Sequence, residues 1–97
     1  MEKEDREILC RALLCLRTPE EASALLDDLC TAAEREEMSR RLRAALLLRA
    51  GSPYNDVVAL TGLSTATISR VSRSLKNGEG YACILPRMEE AEAEEKA

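Results

Sequence analysis

The side chains best able to do chemistry in this chain are four cysteines, at 10, 15, 30 and 83, and a run of cations and hydroxyls, Thr65-Ala66-Thr67-Ile68-Ser69-Arg70-Val71-Ser72-Arg73-Ser74-Leu75-Lys76. No two cysteines stand at the two-residue separation with which paired thiolates usually grip zinc, so no metal site is expected. Histidine is absent. That removes His-based acid-base catalysis, triads built on His and His-containing metal centres. Cys10 and Cys15 fall within an apolar-periodic stretch, where a thiol usually acts as a small hydrophobe, and both are read as packing residues. No paired carboxylates stand apart from ordinary helix charge and no glycine loop could cradle a phosphate, so the chain is not expected to be an enzyme.

The hydroxyl and cation run has a different use. Hydroxyls can donate to phosphate oxygens, an arginine can reach a guanine edge with two donors, and small residues let a helix backbone approach a major groove. The formal net charge of −4 at pH 7 does not oppose this, because the charge is segregated along the chain. Residues 1–30 hold 4 basic and 8 acidic side chains, residues 31–77 hold 8 and 4, and residues 78–97 hold 2 and 6. Charges more than about 10 Å apart are screened at ~0.1 M salt, so a polyanion responds to the basic middle and not to the total.

That run must be carried by a helix, and the neighbouring pattern supplies one. Ser64 caps it, Thr65 to about Lys76 form it, and Asn77-Gly78 reads as a left-handed stop. Just before it, Ser52-Pro53 starts a short helix that Thr61-Gly62 ends. Two short helices joined by a glycine turn have the form of a helix-turn-helix, here at about 53–76. Val57, Val58, Leu63, Ile68 and Val71 stand where apolar pins are needed to hold the two helices, and Gly62 supplies the positive φ of the turn.

Upstream, Ile8, Leu9, Ala12, Leu13 and Leu16 repeat at helical spacing over Glu4 to Leu16. Thr18-Pro19-Glu20-Glu21 opens a second helix running to about Leu29. Thr31-Ala32-Ala33-Glu34 is a capping box opening a third, about 32–50, that Gly51 closes, with Met38, Leu42, Ala45, Leu46 and Leu48 as its apolar line. After Gly78, the apolar patch Tyr81-Ala82-Cys83-Ile84-Leu85 ends at Pro86. The sequence thus reads as one helical domain over residues 1–85, followed by an acidic tail, 86–97, either a solvated helix or disordered.

The fold class is all-α. Of 97 residues, 15 are Leu and 14 Ala, only six are Val or Ile, and none is Phe or Trp. Such a chain buries modest apolar area, and a homodimer is the natural remedy. No stretch approaches the ~20 apolar residues of a membrane span, and the N-terminus lacks the features of an export signal. No membrane partner and a cytoplasmic location are expected.

Ala66-Thr67-Ile68-Ser69-Arg70, followed by Ser72, Ser74, Leu75 and Lys76, closely resembles the recognition helix of the Trp repressor family. Helix-turn-helix docking and water-mediated base contacts are general properties for which that repressor is itself a standard example. The resemblance extends back through Leu29 to Glu36 and Arg40-Arg41-Leu42-Arg43 to Gly51, covering about residues 18–77. Val71-Ser72-Arg73 and Gly80-Tyr81 are similar to the YerC/YecD branch. It implies an intertwined all-helical homodimer and a tryptophan pocket whose arginines match Arg41 and Arg70, whose threonines match Thr31 and Thr67, and whose serine matches Ser74. The family has glycine directly after the second arginine. Val71 stands there and narrows the ligand space, so no cofactor is expected and a tryptophan corepressor is implied by resemblance alone.

The function expected is therefore a homodimeric, sequence-specific transcriptional regulator binding double-stranded DNA through Thr65, Ala66, Ser69, Arg70, Ser72, Arg73 and Lys76. The alternative is a helix-turn-helix module for dimerisation or protein interaction without DNA binding. Asn55, Asp56 and Ala59, where the family has basic residues, and the acidic tail favour that alternative.

Overall fold

The structure, a computed structural model, describes residues 2–96 and is helical throughout, with no strand among them. Six helices follow one another: α1 Glu2–Leu14, α2 Pro19–Leu29, α3 Ala32–Arg49, α4 Tyr54–Thr61, α5 Thr65–Asn77 and α6 Glu79–Lys96. The chain divides into two compact units that part between Glu36 and Glu37, within α3.

In the first unit, helix boundaries follow local chemistry. The Thr18 hydroxyl accepts the Glu21 amide at 3.1 Å and caps α2, with Pro19 at its first position. The Thr31 and Glu34 capping box closes in both directions: the Thr31 amide donates to the Glu34 carboxylate at 2.8 Å, and the Glu34 amide to the Thr31 hydroxyl at 3.1 Å. Donation from the Thr31 amide, and secondarily from the Thr31 hydroxyl, holds the Glu34 carboxyl below its ordinary pKa. Arg35 ties the α2–α3 corner, donating to the Cys30 carbonyl at 2.8 Å and pairing with Asp27 at 3.2 Å. Yet no described residue up to Glu36 is buried. Ile8, Leu9, Leu13, Leu14 and Leu29 are all exposed.

Cys10 of α1 and Cys15, just beyond its end, depart from expectation. Cys10 and Cys15 are exposed free thiols. Cys10 lies beside Leu14 as well as Lys3, Arg6, Glu7 and Arg11, and the chain itself does not bury it.

The second unit contains the core. Ala44, Ala45, Val57, Leu63, Ile68, Val71 and Leu85 form one buried cluster, joined by half-buried Leu46, Leu47, Leu48, Val58, Leu75 and Tyr81. The expected α3 line holds at Ala45, Leu46 and Leu48 and fails in its first half. Met38 and Leu42 are exposed, and the fully enclosed α3 positions are Ala44 and Ala45, small residues that allow close approach of the other helices.

Gly51, with φ +93°, ends α3 in a Schellman motif: the Ser52 amide donates to the Leu47 carbonyl and the Gly51 amide to that of Leu48, both at 3.0 Å. α4 begins one residue later than Ser52-Pro53 suggests. Pro53 occupies the cap position and no side chain caps the helix.

Residues after Gly78 differ most from expectation. Pro86 does not close the apolar patch but lies inside α6, which continues through the acidic residues to Lys96. Proline there leaves the Ala82 carbonyl without its helical donor. Flanking attachments offset that loss. Leu85 is fully buried, and Arg49 of α3 pairs with Glu89 of α6 at 2.5 Å. That hydrogen bond raises the Arg49 pKa above its usual value.

Candidate nucleic-acid interface

The site is built on the helix-turn-helix formed by α4 and α5. Gly62 ends α4 at φ +72°, its amide donating to the Val58 carbonyl at 2.8 Å. Positive φ is costly for a residue with a Cβ, so glycine fits this turn. Thr61 is buried beside it. Its hydroxyl donates to the Val57 carbonyl at 2.6 Å and accepts the Leu63 amide at 3.3 Å. Of the five expected pins, Val57, Leu63, Ile68 and Val71 are buried and Val58 is half-buried.

Ser64 starts α5, accepting the Thr67 amide at 3.2 Å. The helix is the most sharply two-sided in the chain. Ile68 and Val71 are buried and Leu75 is half-buried along one stripe, whereas Thr65, Ala66, Ser69, Arg70, Arg73 and Lys76 are exposed. Ser72 stands apart from the latter group. It is half-buried, one residue from Val71 on the flank of the inner stripe.

Electrostatically, α5 holds three cations and no acid. Among the described residues, none forms an ion pair with Arg70, Arg73 or Lys76. An open groove of about 440 Å³ runs along Arg70, Arg73, Ser74, Asn77 and Gly78. α4 contributes little charge, Asp56 being its only charged side chain. A cationic, hydroxylated helix face held rigidly from behind can contact phosphates and base edges.

The five pocket positions implied by resemblance have other partners or surroundings. Thr31 caps α3. Arg41 pairs with Glu37 one turn back at 3.3 Å. The Thr67 hydroxyl accepts from Ser64 at 3.0 Å. Ser74 is exposed and borders both the cationic groove and an apolar groove lined by Leu42, Gly78, Gly80, Tyr81 and Ile84. Val71 is 3% exposed, its side chain part of the core.

Two features escaped the sequence reading. Gly78 is not left-handed: its φ is −87°, and glycine is required because a Cβ there would lie 2.6 Å from the Ser74 carbonyl oxygen. Arg43 of α3 donates to the Leu60 carbonyl in the last turn of α4 at 3.2 Å, a contact 17 residues apart that no local pattern announces.

No helix among the described residues is long and apolar enough to cross a membrane. Comparison with known proteins places the architecture. The family model described as Trp repressor protein matches residues 4–89. The Bacillus subtilis (strain 168) protein named "Uncharacterized protein YerC" is 42% identical over 87 residues, spanning 89% of this chain and 84% of its own. A putative Trp repressor from Staphylococcus aureus has a similar structure, with TM-score 0.82 and 41% identity over 89% of this chain and 87% of that one. A TrpR-like protein from Eubacterium eligens ATCC 27750 gives TM-score 0.82 and 41% identity over 88% and 89% of the two chains. With a two-sided α5 behind a glycine turn and a family match spanning nearly its whole length, this chain belongs to the Trp repressor family, whose members are helix-turn-helix DNA-binding regulators and not enzymes.

Proposed function

We propose that the protein is a homodimeric transcriptional regulator that binds specific double-stranded DNA sites in the cytoplasm through α5 and needs no tryptophan corepressor. The observation that carries this reading is the α5 face: Thr65, Ala66, Ser69, Arg70, Arg73 and Lys76 exposed together, opposite buried Ile68 and Val71. Arg70, Arg73 and Lys76 supply phosphate attraction, and Ser69 and Thr65 stand near the helix start, where base edges are read. Ser72 plays a lesser part, given its half-buried place.

Dimerisation is supported by what a single chain leaves uncovered. α1 and α2 bury no residue, and Met38, Leu42, Ile84 and Met88 expose apolar surface on α3 and α6. Amphipathic helices of this kind need a second surface to cover their apolar faces. A dimer would carry two copies of α5 and read half-sites about one helical turn apart.

Independence from tryptophan is supported by Val71, whose side chain fills the core behind α5. The corepressor positions Arg41 and Thr67 are meanwhile engaged by Glu37 and Ser64. One observation favours a second reading, a protein-interaction module: α4 exposes Tyr54 and Leu60 and carries no cation. Selection of bound oligonucleotides from a random duplex pool, with and without tryptophan, separates the two. The proposal expects a pseudo-palindromic consensus unchanged by tryptophan, whereas no enrichment would favour the module.

A further inference from the structure

The orientation of α5 depends on the turn before it, and that turn depends on how α4 ends. α4 has eight residues, so the four carbonyls left without helical donors at its C-terminus are half of its backbone acceptors. Two of these have partners from outside the helix: the Gly62 amide reaches the Val58 carbonyl, and the Arg43 guanidinium reaches that of Leu60. α3 also packs against the motif through apolar side chains, Ala44 and Ala45 in the cluster of Val57, Leu63, Ile68 and Val71 and half-buried Leu46, Leu47 and Leu48 against it. Apolar packing of this kind sets distance but has no preferred bond direction of its own. A guanidinium donating to a carbonyl does have one, and a cation also complements the negative end of the α4 dipole.

We infer that Arg43 is a positioning residue: by binding the Leu60 carbonyl it fixes the last turn of α4, and with it the Gly62-Leu63-Ser64 turn and the angle at which α5 meets DNA. This rests on the DNA-binding reading for its consequence, but not for its geometry. Arg43 is exposed, so the competing role is direct contact with a phosphate.

Two measurements on the full chain, made with Arg43→Ala and Arg43→Lys, separate these roles. Amide hydrogen exchange without DNA should be roughly 5- to 10-fold faster at Gly62 and Leu63 in Arg43→Ala, with part of the protection restored in Arg43→Lys, which keeps a cationic donor. Affinity for a selected duplex should fall roughly 5- to 10-fold in Arg43→Ala with the salt slope unchanged, since the loss is one of placement. Unchanged exchange at Gly62 and Leu63 would overturn the inference. So would a salt slope reduced by about 0.9, which marks a lost phosphate contact. If the wild-type chain bound no duplex, the DNA reading would fail while the exchange experiment would still decide the role of Arg43.

Discussion

Ser64 and Thr67 are bonded twice: the Ser64 hydroxyl accepts the Thr67 amide at 3.2 Å and donates to the Thr67 hydroxyl at 3.0 Å. This pair fixes the first turn of α5 and removes Thr67 from the residues free to reach DNA. Ser64→Ala should cost about 1 kcal/mol of stability, the usual value of an N-cap. Denaturant midpoints at fixed protein concentration, with amide exchange at Thr67, test this. DNA affinity should fall as well, because Thr65 and Ala66 lose their fixed backbone.

The Thr31 and Glu34 capping box predicts a pH dependence. Glu34 has a lowered pKa in the fold, so its charged form contributes stability that is present above the unfolded value of about 4.3. As pH falls through the lower folded value, that contribution is lost. The denaturant midpoint of wild type should therefore exceed that of Glu34→Gln near pH 7, and the gap should shrink below about pH 4.3. A gap independent of pH would show that the carboxylate charge contributes nothing.

Much of this architecture was legible because short-range signals dominate it. The caps at Thr18, Thr31 and Ser64, the stop at Gly62 and the pins from Val57 to Val71 are set by neighbours within a turn or two. The errors arise where a distant part of the chain decides. Pro86 stays within α6 because Leu85 and Glu89 are anchored by other helices. Cys10 reads as core from its apolar neighbours, yet it is exposed in the folded chain. Gly78 is set by crowding against the Ser74 carbonyl, not by φ. Of the candidate DNA contacts, Ser72 alone lies at the edge of the inner stripe, where a one-residue step decides its side.

Val71 offers a packing test. Val71→Ala should lower stability by about 2 kcal/mol, combining lost burial with a small cavity behind α5. Thermal unfolding of the wild type should not shift as tryptophan is raised, since a ligand that binds the folded state stabilises it progressively. A concentration-dependent rise in midpoint would overturn the proposed independence from corepressor.

Two glycines make a paired prediction. Gly78→Ala places a Cβ against the Ser74 backbone and should destabilise by about 1–3 kcal/mol, as expected for forced backbone strain. Gly80→Ala meets nothing within 4 Å and replaces a poor helix former, so it should be neutral or stabilising by up to ~1 kcal/mol. Denaturation of the two variants side by side checks the sign of each.

In the proposed complex the outward side of α5 meets the DNA backbone. The most direct measurement is the salt dependence of duplex binding for wild type and Arg73→Ala. Loss of one phosphate contact should weaken binding to every sequence and reduce the slope of log affinity against log salt by about 0.9. If Arg73→Ala bound every duplex as tightly as wild type with the same slope, the proposed interface would be contradicted.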